Sequence, residues 1–250
     1  MKLTHVSDYK IYVEDEEEVQ KVTFKKFKEE FKLYERSFDM LMETIDCVFN
    51  SAEGKLLDSL GKTATIIILP RIVQSIQSIR LLIAKGHYYD YSIIGRSLLE
   101  SIGLCAHISS NEEEAKRWID GKPIELASIH LIDLARWLKL GKDSAKIGKD
   151  YRAVYGHLCD YVHTNLKGAS SLIAEFGKKK KRIGNLNGRM IALKFTPQFE
   201  GTEGRSIAIF PIYATLIIQD IFKTELKPYK RRQKKFDRLF NLYLRAHKPK

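Results

Sequence analysis

The sequence predicts an all-α protein that folds as a multi-helix bundle of about eight helices in a single domain. Hydrophobic residues make up 44% of the 250 residues, which is enough for one sizeable core. Only six prolines and fifteen glycines occur, and long segments contain neither, which favours helices. The predicted order is a leader at 1–13, a long helix at 14–53, core helices within 64–176, a basic loop or small β-hairpin within 177–210, and closing helices with a basic tail at 211–250.

The N-terminal part predicts one short strand followed by one long helix. The strand is expected at Tyr9–Val13, and the helix opens at Glu14 or Asp15. Apolar residues then recur at alternating spacings of three and four, which is a heptad pattern typical of either a bundle edge or a dimer seam. Four phenylalanines are bulky for a two-stranded coiled coil, so we favour the bundle. The heptad residues are Phe24, Phe27, Phe31, Tyr34, Phe38, Leu41, Ile45 and Val48.

The middle of the chain predicts five core helices, several with recognisable start or stop residues. Asn111 is a good N-cap and Pro123 suits the first position of a helix, whereas Gly86 and Gly121 suit C-terminal ends. Pro70 lies early in the first of these helices and is expected to kink it. The predicted helices run from Thr63 or Thr65 to Ala84, Tyr88 to Ser109, Glu112 to Ile119, Pro123 to Leu140, and Tyr151 to Asn165.

The last third of the chain predicts an insertion and two closing helices. Residues 182–210 are rich in Gly, Asn and charge, and β-like runs at Met190–Phe195 and Ser206–Phe210 predict a small hairpin or a loop. Pro211 starts an apolar helix to about Leu226, which Pro228 ends. A final amphipathic helix, Tyr229–Ala246, is expected to pack four apolar residues inward and to turn Lys and Arg outward. Those four are Phe236, Leu239, Phe240 and Tyr243.

The net charge of +12 is concentrated in two blocks. The tail from Lys227 to Lys250 holds ten Lys or Arg and one acid, Asp237, and Lys178–Arg182 reads KKKKR. Clustered positive charge favours a polyanion such as RNA through phosphate contacts, and the alternative is a solvated basic surface. The candidate nucleic-acid-binding residues are Lys178, Lys179, Lys180, Lys181, Arg182, Lys230, Arg231, Arg232, Lys234 and Lys235.

Cysteine use and hydropathy predict a cytoplasmic protein without a membrane span. Three cysteines, Cys47, Cys105 and Cys159, all lie in apolar helical patterns, which is typical of reduced thiols and not of a disulfide framework. The N-terminus lacks the apolar stretch of a signal peptide. The most apolar stretch, Thr65–Pro70, is too short to cross a bilayer.

One helix carries a charge pair in an otherwise apolar segment. From Tyr91 to Ile108 the only charges are Arg96 and Glu100, four residues apart, so the two side chains can meet. The segment is apolar nearly all round, which predicts a central helix. Because a buried ion pair adds little net stability, we interpret this pair as part of a site or as a structural clip to a third polar group.

A second polar constellation lies on the predicted helix Tyr151–Asn165. Arg152 and His163 are eleven residues apart and share one edge of its apolar face, whereas His157 lies about 140° away and Tyr155 lies within that face. The alternative is that these histidines pack at a core boundary. The candidate catalytic residues are Arg152, His157, His163, Arg96, Glu100 and Tyr155.

Motifs for cofactors and metals are few. Cys159 and His163 are spaced for one helix face, but no CxxC or HxxxH accompanies them, so no metal is expected. The sequence has no GxGxxG, GxxxxGK[ST] or GxSxG, which disfavours dinucleotide, nucleotide-triphosphate and α/β-hydrolase chemistry. No cofactor is expected.

Two segments resemble an uncharacterised bacterial helical family, domain of unknown function 5677. They are GRSLLE at Gly95–Glu100 and YGHLCDYVH at Tyr155–His163, and the resemblance extends over Ile67–Leu242. Members of that family have an RxxxE helix, a YxxLxxxVH helix, a short loop region and a closing pair of helices. The resemblance implies the helical fold but no activity.

A looser resemblance is to HEPN ribonucleases, small helical bundles of toxin–antitoxin and phage-defence systems. Their signature is an Arg, a few residues and a His on a late helix, and Arg152, AVYG and His157 fit it, with Ala153 where a polar residue is usual. The resemblance implies metal-free RNA cleavage by an internal 2′-hydroxyl, with His as general acid or base and Arg stabilising charge on the phosphate. It also implies a site completed across a dimer.

These observations predict a protein that binds or cleaves RNA, with a homodimer or a partner protein as its assembly. The alternative is a non-catalytic helical module that binds nucleic acid or a partner protein, in which Arg96, Glu100 and His163 hold the core together.

Overall fold

A computed structural model describes residues 9–52, 59–124 and 207–246, and within these ranges the protein is helical and has no strand. The all-α prediction is confirmed for this part of the chain. Its seven helices are α1 (Tyr9–Lys26), α2 (Lys28–Ala52), α3 (Leu60–Lys85), α4 (Tyr88–Ser109), α5 (Glu112–Ile119), α6 (Ile209–Ile221) and α7 (Lys230–Ala246).

Helices α1 and α2 form nearly one continuous helix. Phe27 separates the two helices, but its N–H still bonds to the Thr23 carbonyl at 2.9 Å, and the Phe31 N–H bonds to the Phe27 carbonyl at 3.0 Å. The strand predicted at Tyr9–Val13 is wrong, because these residues begin α1. A lone strand would leave its backbone groups unpaired, whereas a helix satisfies its own.

The heptad residues of α2 pack inside one chain. Phe27, Phe31, Tyr34, Leu41, Ile45 and Val48 are buried in the core, and Phe24 and Phe38 pack partly buried against it. Helices α6 and α7 cover α2. The structure therefore supports bundle packing over a dimer seam for this stripe.

Helix α3 lies at the centre of the bundle, where it contacts α1, α4, α5 and α6. It begins at Leu60, earlier than predicted, because the Ser59 side chain caps it by accepting the N–H of Lys62. It continues through Pro70 and ends at Gly86, whose φ of 82° is the left-handed conformation that favours glycine. Among the described helices α3 alone is long and apolar enough to cross a membrane, a test that a buried core helix also passes.

Helices α4 and α5 have the predicted bounds. Asn111 caps α5 by accepting the N–H of Glu114, and Gly121 follows that helix with a φ of 72°. Gly61 of α3 allows the chain to approach α4 closely, since a β-carbon there would lie 2.4 Å from the Ile108 carbonyl oxygen. This approach fixes the α3–α4 pair at one end.

The closing helices differ from the prediction in their bounds. Ile207 and Ala208 form a turn and α6 begins at Ile209, so the β-like return predicted at Ser206–Phe210 is wrong for its described residues. These side chains are buried, and a helix can bury apolar residues on every face without an unpaired backbone. Helix α6 ends at Ile221, before the predicted Leu226, and a 3₁₀ turn at Lys227–Tyr229 leads into α7.

Several predicted elements lie outside the described residues. They are the helices Pro123–Leu140 and Tyr151–Asn165, and the hairpin or loop up to residue 206. The total of about eight helices and the small hairpin therefore stay predictions.

Candidate functional site

The predicted ion pair on α4 is present. Arg96 Nε donates to Glu100 Oε1 at 2.9 Å, which confirms the pairing expected from their spacing. The two side chains are 26% and 28% exposed, so the predicted deep burial is wrong. Ile93, on the same face of α4 one turn earlier, is also exposed. This face of α4 therefore lies at the edge of the core, where it is partly open to solvent.

Helix α3 contributes a second polar contact to this border. Arg71 Nη2 donates to Ser97 Oγ at 3.0 Å, and Ser97 follows Arg96 on α4. Ile67, one turn before Arg71, is exposed. The α3–α4 border therefore combines two arginines, one carboxylate and exposed isoleucines on one side of the described bundle.

The other candidate catalytic residues, Arg152, Tyr155, His157 and His163, lie outside the described residues. The basic block Lys178–Arg182 does so as well. Their meeting with Arg96 and Glu100 stays a prediction.

The candidate basic residues of α7 fall into two groups. Arg232 Nη1 donates to Cys47 Sγ at 2.8 Å and to the Glu43 carbonyl at 3.2 Å, and Lys235 Nζ donates to Glu43 Oε1 at 2.9 Å. These two residues attach α7 to α2. Arg231 and Lys234 are exposed, and Lys230 is the first residue of the helix. The outward group is therefore the one available to a polyanion.

A charged cluster centred on the buried Glu16 joins α1 to the turn between α3 and α4. Glu16, whose side chain is 11% exposed, accepts Lys85 Nζ at 2.9 Å and lies 2.6 Å from His87 Nε2. His87 Nδ1 is 4.0 Å from Asp90 Oδ2. Burial alone would raise the pKa of Glu16, but the hydrogen bonds from Lys85 and His87 outweigh it and lower this pKa below 4.5.

The spacing of Glu16 from the buried residues of α1 could have predicted this cluster, but the heptad pattern chosen from the sequence left Glu16 out. Glu16 belongs to the acidic run EDEEE, which alone suggests a solvated surface. It lies seven residues before Thr23 and eleven before Phe27, both buried, so it belongs to the same helical stripe. The predicted heptad pattern placed Phe24 in the buried stripe. In the structure the buried residues are Thr23, Phe27 and Phe31, spaced four and four apart, so N-terminal to Phe27 the stripe lies one residue earlier than predicted.

The described cysteines are poor nucleophiles. Cys47 and Cys105 are free and buried. Burial raises the pKa of Cys47 even though Arg232 opposes it, and burial raises the pKa of Cys105 to about 12. Because the thiolate is the reactive form, neither is suited to covalent catalysis. No group of three or more His, Cys, Asp or Glu in the described ranges could hold a metal ion.

An open groove of about 580 Å³ lies between α2 and α7. It has an apolar floor and charged walls, and it was not predicted from the sequence. Its lining residues are Arg36, Asp39, Met40, Met42, Glu43, Asp46, Lys235, Arg238, Leu239 and Leu242.

Comparison of the chain with protein-family models, curated proteins and solved structures gives no match. Both family resemblances therefore rest on the short motifs at Gly95–Glu100 and Arg152–His163.

Proposed function

We propose that this protein binds RNA through the exposed basic residues of α7 and of the segment before it. The observation that carries the proposal is the division of charge on this helix. Arg232 and Lys235 are exposed but donate hydrogen bonds to α2, whereas Arg231 and Lys234, like Lys223 and Lys227 upstream, are exposed without such a bond to α2. None of these four forms an ion pair with an acid of the described chain. Lys and Arg placed in this way contact phosphates and release counterions.

We extend the proposal to cleavage, on the strength of the HEPN resemblance. In this reading the protein is a metal-independent ribonuclease of a toxin or phage-defence system and acts in the cytoplasm. Arg152 would stabilise charge on the phosphate, and His157 or His163 would transfer protons. Arg96, Glu100 and Tyr155 would border the site.

A non-catalytic helical module is the second candidate, and one observation favours it. Arg96 is bonded to Glu100, and Arg71 on the neighbouring helix is bonded to Ser97. This pattern is what a structural role for the polar border requires, because each arginine has a carboxylate or hydroxyl acceptor. Such a module would bind nucleic acid or a partner protein without chemistry.

Binding is tested by titrating a fluorescent single-stranded RNA with the protein over a range of salt concentrations. Log affinity should fall linearly with log salt, with a slope of about −0.7 for each phosphate contacted. The double variant Arg231→Gln, Lys234→Gln should make this slope shallower by about 1.4 if each residue contacts one phosphate. The matched control, Lys116→Gln with Lys122→Gln, removes the same charge at exposed positions in and after α5. Equal loss in both double variants, or no binding at low salt, refutes the proposal.

Cleavage is tested by incubating the protein with total RNA in EDTA, since the proposed chemistry needs no metal. Removing a general acid or base lowers the rate about 100-fold or more. His157→Ala and His163→Ala therefore identify which histidine transfers protons. A wild type that cuts no RNA across salt and pH, while still binding it, leaves the non-catalytic module as the function.

A further inference from the structure

The α2–α7 groove has walls of opposite charge. Helix α7 runs antiparallel to α2, since Arg232 lies beside Cys47 and Lys235 lies beside Glu43. The α2 wall carries acids and the α7 wall carries bases. The acids are Asp39, Glu43 and Asp46, and the bases are Lys235 and Arg238, with Arg36 on α2 at one end.

The floor of the groove is apolar. Met40 and Leu239 are buried, Met42 is partly buried, and Leu242 is 51% exposed. A leucine and a methionine between two charged walls have the composition of a small protein interface, in which an apolar centre is surrounded by a polar rim. The acidic α2 residues of the groove, Asp39, Glu43 and Asp46, lie on the side of α2 that faces away from the buried heptad stripe, so the groove is a different surface from the predicted dimer seam.

Part of the wall charge is free to meet a partner. Glu43 and Lys235 already bridge the groove within one chain, at 2.9 Å. Asp39, Asp46 and Arg238 are exposed, and none pairs with an opposite charge in the described chain. The surface therefore presents unpaired acid on one wall and unpaired base on the other.

We propose that this groove binds a second copy of the same chain. In a two-fold interface the same surface serves both partners and must complement itself. A two-fold axis parallel to α2 and α7 places the acidic wall of each copy against the basic wall of the other and brings the two apolar floors together. An axis perpendicular to the helices would set acid against acid, which is unfavourable.

The geometry specifies one contact in this dimer. Lys235 lies level with Glu43, and three residues further along the antiparallel pair Arg238 lies level with Met40 and Asp39. An axis parallel to the helices keeps each residue at its own height. Asp39 of one copy therefore faces Arg238 of the other, and Leu242, seven residues beyond Lys235, lies level with Arg36 and faces the Arg36 of the other copy. The RNA-binding candidates Arg231 and Lys234 do not line the groove, so this inference is independent of the proposed function.

Sedimentation equilibrium of the full chain without RNA, over a range of concentrations and at low salt, tests the proposal. The wild type should form dimers, and Leu242→Lys should raise the dimer dissociation constant at least ~10-fold, because it sets a second cation against the Arg36 of the other copy. Arg238→Glu and Asp39→Lys should each weaken the dimer, and the two combined should recover most of the loss. Lys116→Glu, a charge reversal on α5, is the control and should leave the dimer intact.

Circular dichroism and melting of each variant show that it folds, which is expected because Asp39, Arg238 and Leu242 are exposed. A wild type that stays monomeric at every concentration means that another partner, or none, occupies the groove, and overturns the proposal. A dimer unaffected by Leu242→Lys, or a charge swap that recovers nothing, overturns it as well.

Discussion

At the scale of single residues, Gly61 has no room for added volume. A β-carbon there would meet the Ile108 carbonyl oxygen at 2.4 Å and the Ser109 α-carbon at 2.7 Å, and backbone cannot move aside as a side chain can. Gly61→Ala should therefore destabilise the protein by about 1–3 kcal/mol, although alanine is the better helix former. Urea unfolding measures the change. Gln77→Ala, exposed on the same helix, is the control, and a more stable Gly61→Ala variant would contradict the close approach of α3 and α4.

The polar residues at the α3–α4 border show which contacts can be predicted from sequence spacing and which depend on tertiary packing. The pairing of Arg96 with Glu100 follows from their spacing on one helix and was predictable. The partial exposure of this pair depends on which helices pack around α4. Because α4 is apolar on nearly every face, its sequence does not show which face stays open to solvent. The Arg71–Ser97 bond joins residues 26 positions apart on two helices, so no local pattern could reveal it.

At the scale of elements, the Glu16 cluster attaches α1 to the end of α3. The pKa of Glu16 is lower in the folded protein than its ordinary value of 4.5, so the unfolded chain binds a proton at higher pH than the native one. The stability from this cluster is therefore present above about pH 4.5 and is lost as pH falls through the lowered pKa. Glu16→Gln should lower stability at neutral pH, and its difference from the wild type should shrink below pH 4.5.

Chemical unfolding between about pH 3 and pH 7 measures this dependence. Glu17→Gln is the matched control, since Glu17 is the exposed neighbour of Glu16 in the same helix. If the two variants have the same pH profile, the cluster does not hold α1 in place.

The bounds of the helices were predictable where the stop and start residues are local. Asn111, Gly86 and Gly121 act as expected, because capping depends on a few adjacent residues. The starts of α1 and α6 were not, because Tyr9–Val13 and Ile207–Phe210 have β-prone sequences. For Ile207–Phe210, whose side chains are buried, tertiary packing overrides this weak local preference.

At the scale of the whole molecule, the helices near each other in sequence are not all near each other in space. Helices α3, α4 and α5 follow one another and pack together, whereas α2 packs mainly on α6, from the far end of the chain. We expect the buried amides of α3 and α4 to exchange hydrogen most slowly and those at the start of α1 to exchange fastest. Native-state hydrogen exchange measures both, and equal protection in α1 and α3 would contradict this order.

The distance between α2 and α6 along the chain has a consequence for synthesis on the ribosome. Roughly 160 residues separate them, and translation adds about 5–20 residues per second. The part of α2 that packs on α6 therefore stays exposed for roughly ten to thirty seconds before α6 has been synthesised. That face carries Leu41, Ile45 and Val48, the kind of surface that chaperones bind. Nascent chains arrested after α5 should therefore be held by a chaperone, and chains that have emerged through α7 should be released.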